Sequence, residues 1–107
     1  MKINERTTLI RPRRLYREGM SSAQAYEITR KHWRARPDRH RPDYAFTVHR
    51  GVVRHVFRID HWKREASSGR WMFEGAVDDA LERKYVGHSV KEYFPRGAAN
   101  PVRYMNC

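Results

Sequence analysis

The stretch YAFTVHRGVVRHVFRI, residues 44–59, decides how the chain is built. Tyr44, Phe46 and Val48 alternate with Ala45, Thr47 and His49, the two-residue period of a strand that sends successive side chains to opposite faces. Arg50-Gly51 supplies a short turn, and VVRHVFRI reads as the returning strand of a β-hairpin. On that strand Val53, His55, Phe57 and Ile59 are expected on one face and Val52, Arg54, Val56 and Arg58 on the other. The arginines then interrupt one side only and leave an apolar side to anchor a core.

Toward the N-terminus, RARPDRHRPD (34–43) combines two prolines with four arginines and no large apolar residue. It reads as a loop or extended connection, either a solvated surface loop or a basic finger laid along phosphates. Before it, SSAQAYEITRKHW (21–33) places Ser21 and Gln24 at capping-box spacing. Ala25, Tyr26, Ile28, Thr29 and Trp33 then fall on adjoining helical positions, which predicts a helix from about residue 22 to 33. Thr7 to Ile10 is a short strand candidate, and residues 1–20 as a whole read as a partly ordered basic arm.

Beyond the hairpin, KREASSG (63–69) is a connecting loop and RWMFEG (70–75) a third strand with Trp71 and Phe73 on one side. Asp78 and Asp79 open a short helix through about Lys84, with Gly87 as its stop. Ser89 and Glu92 repeat the capping spacing and predict one further turn, SVKEYF; VRYM (102–105) is a last strand. These elements predict an α+β fold: a small curved antiparallel sheet or partly closed β-barrel with one longer and one or two short helices, in a single domain spanning residues 1–107.

The charge is lopsided. The chain carries 23 Lys+Arg against 12 Asp+Glu, a net of +11, and residues 1–42 hold 12 of the basic and 4 of the acidic side chains. Such an excess attracts polyanions and says little about fold. Eighteen of the basic residues are arginine, the side chain suited to forked phosphate contacts and to stacking. No apolar run approaches the roughly 20 residues of a membrane span, and the first residues lack the apolar block of a secretory signal, so no membrane partner is expected. The single Cys107 cannot form an internal disulfide, and a reducing cytoplasm is the expected location.

Basic and aromatic side chains are interleaved: Arg30, Lys31 and Arg34 flank Trp33, Arg54 and Arg58 precede Trp62, and Arg70 adjoins Trp71. Single-stranded nucleic acid is held by cations that track phosphates and rings that accept base faces. His49, His55 and His61 recur every six residues, but the turn at Gly51 breaks any common face, and His55 reads as a buried imidazole. With one terminal cysteine and no histidine pair at helical ligand spacing, neither a metal nor another cofactor is expected.

The order of features, a helix ending in Trp33, then YAFTVHRGVVRHVFRIDHW, then RWMFEG, resembles the small β-barrel domains of the PUA-like group, which includes the ASCH and EVE domains. The resemblance covers about residues 22–75, and KYVGHSVKEYF (84–94) has no counterpart in that pattern. It implies binding of RNA or modified bases between barrel and helix, with Trp33, Tyr44, Trp62 and Trp71 forming a stacking pocket and Arg54 and Arg58 on phosphate. The expected function is therefore non-catalytic binding of RNA or single-stranded DNA through Arg30, Lys31, Trp33, Arg34, Tyr44, Arg54, Arg58, Trp62 and Trp71. Two alternatives compete with it. One is a toxin-like, metal-free endoribonuclease drawing on His49, His55, His61, His88, Lys84 and Tyr85; the other is a basic adaptor docking on an acidic protein partner.

Overall fold

The hairpin forms where its periodicity places it, as β2 (Tyr44–His49) and β3 (Val52–Arg64). A computed structural model describes residues 2–31, 39–97 and 100–107. Around the hairpin, β1 (Thr7–Ile10), α1 (Ser22–Thr29), β4 (Trp71–Val77), α2 (Asp79–Tyr85) and β5 (Val102–Met105) complete the chain, with 3-10 turns at Arg13–Leu15 and Lys91–Tyr93. Among the described residues no helix is long and apolar enough to cross a membrane.

The strand order is β4-β3-β2-β1-β5. The fold is α+β as expected, but the sheet is mixed rather than antiparallel, because β1 pairs with β2 in parallel. A parallel neighbour needs a crossover, and the 11–43 connection containing α1 supplies it. Nor does the sheet close into a barrel. Helix α1 covers one face, where Ala25 joins Ile10, Ala45, Phe57, Phe73 and Val102; α2 and the segment after it cover the other, where Tyr85 and Val90 join Leu9, Phe46, Val48, Val53 and Val56. Both faces are thus dry without closure, which is why four consecutive residues of β2 are buried where a half-wet strand would alternate.

A β-bulge corrects the face assignment on β3. Thr47 stands opposite His55 but Val48 stands opposite Val53, so Arg54 is an extra residue with no partner in the ladder. Val53 and Val56 therefore share the α2 face while Phe57 packs on the α1 face, and the expected row Val53, His55, Phe57 does not exist. A second bulge at Asp60 lies between Ile59 and His61.

Capping fixes the α1 start as the spacing predicts. Ser21 Oγ accepts the Gln24 N–H at 3.2 Å and Gln24 Oε1 accepts the Ser21 N–H at 3.1 Å. The helix ends at Thr29, shorter than its apolar spacing suggests; Trp33 at the predicted end, and Arg34 after it, lie outside the described residues. Ser89 does not cap a helix with Glu92; the turn there starts from Val90 with no side-chain cap. Asp78 does cap α2, accepting the Leu81 N–H at 3.0 Å.

Strand β4 runs through Gly75 to Val77, beyond the predicted end at Gly75. A Cβ at Gly75 would sit 1.8 Å from the Arg58 carbonyl oxygen, so this glycine marks a close backbone approach beside the second bulge, not a stop. The outer edge of β4 is blunted by α1: the Phe73 N–H donates to the Arg30 carbonyl at 2.8 Å and the Gly75 N–H to the Tyr26 hydroxyl at 2.9 Å. Where β4 departs, α2 takes over the edge of β3, with Glu82 accepting the Val56 N–H at 3.1 Å and Asp78 donating to the Val56 carbonyl. Further along, Gly87, His88 and Val90 pair with Gly51 and Val53.

Candidate functional site

The carboxyl ends of the two parallel strands carry arginine. After β1 the chain reads Arg11, Pro12, Arg13, Arg14; after β2 it reads His49, Arg50, Gly51. These residues and Val48 line an open cleft of about 660 Å³. The carboxyl edge of parallel strands is where open α/β sheets hold ligands, because the chain leaves each strand there and its loops splay apart. Segments from opposite ends of the βαβ unit are thus brought together by pairing of β1 with β2, and four arginine residues line one cleft.

Backbone geometry holds them in place. Arg50 and Gly51 have φ of 52° and 75°, the two left-handed positions of a tight hairpin turn that matches the twist of its strands. Arg13 has φ of 56°. Left-handed backbone is costly for any side chain with a Cβ, by about 1–2 kcal/mol, so two arginines held there store strain at this rim of the sheet. Lys91 crosses Gly51 so closely that a Cβ at that glycine would lie 2.2 Å from the Lys91 Cγ, which adds a further cationic side chain to the turn.

Electrostatics at the cleft is dominated by like charge. Burial holds the Arg11 guanidinium below its ordinary value, and the positive charges of Arg13 and Arg103 push it the same way. The Arg11 guanidinium also stacks over the Phe94 ring at 4.1 Å, and its Nη2 donates to the Asn100 carbonyl at 2.8 Å. Among the described residues no carboxylate pairs with Arg14 or Arg50. His49 is depressed by burial, raised by Glu18 and lowered again by Arg50 and Arg54. Its ring packs on buried Tyr16, with centroids 4.6 Å apart.

The sequence-predicted site residues do not form one strip. Arg54, the bulge residue, points to the cleft end, where it pairs with Glu18 at 3.4 Å. Tyr44 and Arg58 stand opposite each other on the α2 face; Tyr44 packs on the core and Arg58 is bound to Asp60 at 2.8 Å. Arg30, Lys31, Trp62 and Trp71 gather at the far end, where β3 and β4 extend past β2 as a two-stranded arm. There Arg30 is only 14 % exposed, donating its Nε to the Phe73 carbonyl and flanking Glu27 and Glu74, so it ties α1 to β4. Lys31 is 4.0 Å from Glu27. Trp62 packs edge-on against Phe73 at 5.5 Å with its Nε1 buried, and half-buried Trp71 stands opposite Arg64. Trp33 and Arg34 lie outside the described residues.

From Arg54 to Trp62 is eight residues of strand, roughly 26 Å. The cleft and the arm are therefore separate surfaces. Arg11, Arg13, Arg14 and Arg50 were not singled out by interleaving with tryptophan; the signals that do find them are RPRR directly after a strand and arginine in a two-residue hairpin turn. Among the described residues no group of three or more His, Cys, Asp or Glu side chains is placed to hold a metal ion. Comparison with family models, with curated proteins and with solved structures finds no match for this chain.

Proposed function

We propose that the protein binds RNA or single-stranded DNA without cleaving it, taking the phosphate backbone into the arginine cleft between the carboxyl ends of β1 and β2. The observation that carries this reading is the convergence of Arg11, Arg13, Arg14 and Arg50 on one cleft of about 660 Å³. Guanidinium groups crowded at one place repel one another, and a polyanion relieves that repulsion while accepting forked hydrogen bonds from each. Selectivity by stacking belongs to the arm, where Trp71 beside Arg64 and Arg70 offers a partly open indole. The single thiol is consistent with a cytoplasmic site of action.

The test is a salt series with labelled single-stranded oligonucleotides. Four phosphate contacts give a slope of log K against log salt near −3, at about 0.7 per contact on single strands. Arg13→Ala/Arg14→Ala removes about 1.4 from that slope and weakens binding to every sequence alike. Affinity indifferent to salt, or unchanged in the double variant, rejects the reading. Capture of an acidic protein that survives nuclease treatment, with no oligonucleotide binding, favours the adaptor role instead.

A further inference from the structure

Glu18 stands in the connection from β1 to α1, one residue before Gly19, whose φ is 81°. Its carboxylate faces the Arg54 guanidinium and the His49 ring at once. Arg54 Nη2 is 3.4 Å from Oε1 and Arg54 Nη1 is 3.5 Å from Oε2, while His49 Nε2 is 3.9 Å from Oε1. The guanidinium and the ring are held and the carboxylate is not: the Arg54 and His49 side chains are 26 % and 18 % exposed, that of Glu18 62 %. One donor of the fork is left over, since Arg54 Nε is buried with no hydrogen-bond partner among the described residues. Leaving such a donor unmade costs free energy, and a carboxylate seated across the two terminal nitrogens does not reach Nε on the other side of the fork.

We propose that Arg54 and His49 form a phosphate subsite adjoining the arginine cleft, and that Glu18 occupies it as a built-in competitor which a ligand phosphate displaces. The inference rests on the phosphate-binding reading of the cleft and deepens it. A backbone phosphate has two charged oxygens, as a carboxylate does, but sets them tetrahedrally with two weaker ester oxygens beside them, so one group can face the Arg54 fork and His49 Nε2 together. His49 joins the two places, because it lines the cleft and also contacts Glu18. The groups that face its ring are Tyr16, Glu18, Arg50 and Arg54, with Arg11, Arg13 and Arg14 on the remaining walls. A phosphate must compete for a site already neutralised by Glu18, so a lone anion gains little there. A chain of phosphates anchored on Arg13, Arg14 and Arg50 presents the next phosphate at high effective concentration and wins.

The experiment uses Glu18→Gln, which keeps the shape and removes the charge at an exposed position. With labelled oligouridylate as probe, E18Q binds about two- to fivefold more tightly than the unaltered protein, the size of one exposed ion pair. Adding Arg54→Lys to E18Q abolishes that gain, because an ammonium cannot offer the fork. In magnetic resonance spectra, the same oligonucleotide shifts the Arg54 Nε–H and His49 ring signals, and inorganic phosphate does so at lower concentration in E18Q than in the unaltered protein. If the unaltered protein binds and E18Q binds no more tightly, or if Arg54 and His49 signals stay fixed while the cleft arginines respond, the subsite is overturned and the cleft stands. If neither form binds any oligonucleotide, the phosphate reading falls and takes the subsite with it.

Discussion

Arg50 holds a left-handed position at the tip of the hairpin, where asparagine or glycine would sit with less strain. A side chain kept there against its backbone preference trades stability for a guanidinium at the cleft. Arg50→Asn is accordingly expected to raise stability by a few tenths to about 1 kcal/mol in urea unfolding while lowering the salt slope of oligonucleotide binding by about 0.7. Gly51 next to it cannot be exchanged so freely, since its φ is 75° and Lys91 fills the space a Cβ needs. Histidine sets the acid limit. Burial holds His55 below the ordinary imidazole value of 6.5, partly offset by Glu82, whose Oε2 lies 3.6 Å from Nδ1. The unfolded chain therefore binds a proton that the folded chain refuses, so stability falls as pH drops through 6.5 and levels off below the folded value. His49 is shifted the same way and adds to the slope. His55→Gln is expected to flatten part of the loss between about pH 7.5 and 5.5, measured by urea unfolding.

Elements were legible wherever their signal is local. The alternation of residues 44–49, the two-residue turn, the Ser21–Gln24 box and the acidic start of α2 each lie within a few residues of the structure they specify, and all four form as read. What was misread depends on residues distant in the chain. The parallel pairing of β1 with β2 leaves no local mark, and the bulge at Arg54 is a property of two strands' register, so Val53 and Phe57 were assigned to one face when they lie on two. Gly75 illustrates the same limit: glycine in a strand signals either a stop or a close approach, and only the neighbouring Arg58 carbonyl decides. Gly75→Ala is expected to cost about 2–3 kcal/mol, because the contact is backbone against backbone and neither side can turn away. Ser21→Ala removes the α1 cap and is expected to cost about 1 kcal/mol. Thermal unfolding of the two variants checks both the values and their order.

For the molecule as a whole, charge and aromatic content pointed to a class of ligand, and pairing of β1 with β2 decided where arginine accumulates. The cleft joins residues 11–14 to residues 48–51, so no window of sequence contains it. Conversely, residues that look like a site in sequence, Arg30 and Trp62 above all, serve α1 and β4. The strand also separates the cleft from the arm by a length that lets the two be tested independently. Trp71→Ala and Arg13→Ala/Arg14→Ala are expected to weaken oligonucleotide binding additively, the first with no change in salt slope and the second with a loss of about 1.4. Non-additive losses in a combined variant would mean that one ligand segment spans both surfaces rigidly.

The register slip at Arg54 has an outcome for which lengths of chain this architecture tolerates. Removing that one residue would straighten the ladder and leave Val53 opposite Val48 and His55 opposite Thr47, whereas removing Val56 instead would put His55 in its place beside the Tyr85 cluster. Changes of length in the paired part of the hairpin are thus tolerated at the bulge and costly beside it, and the other place expected to accept them is the tip of the arm, where Ser67 and Ser68 are exposed.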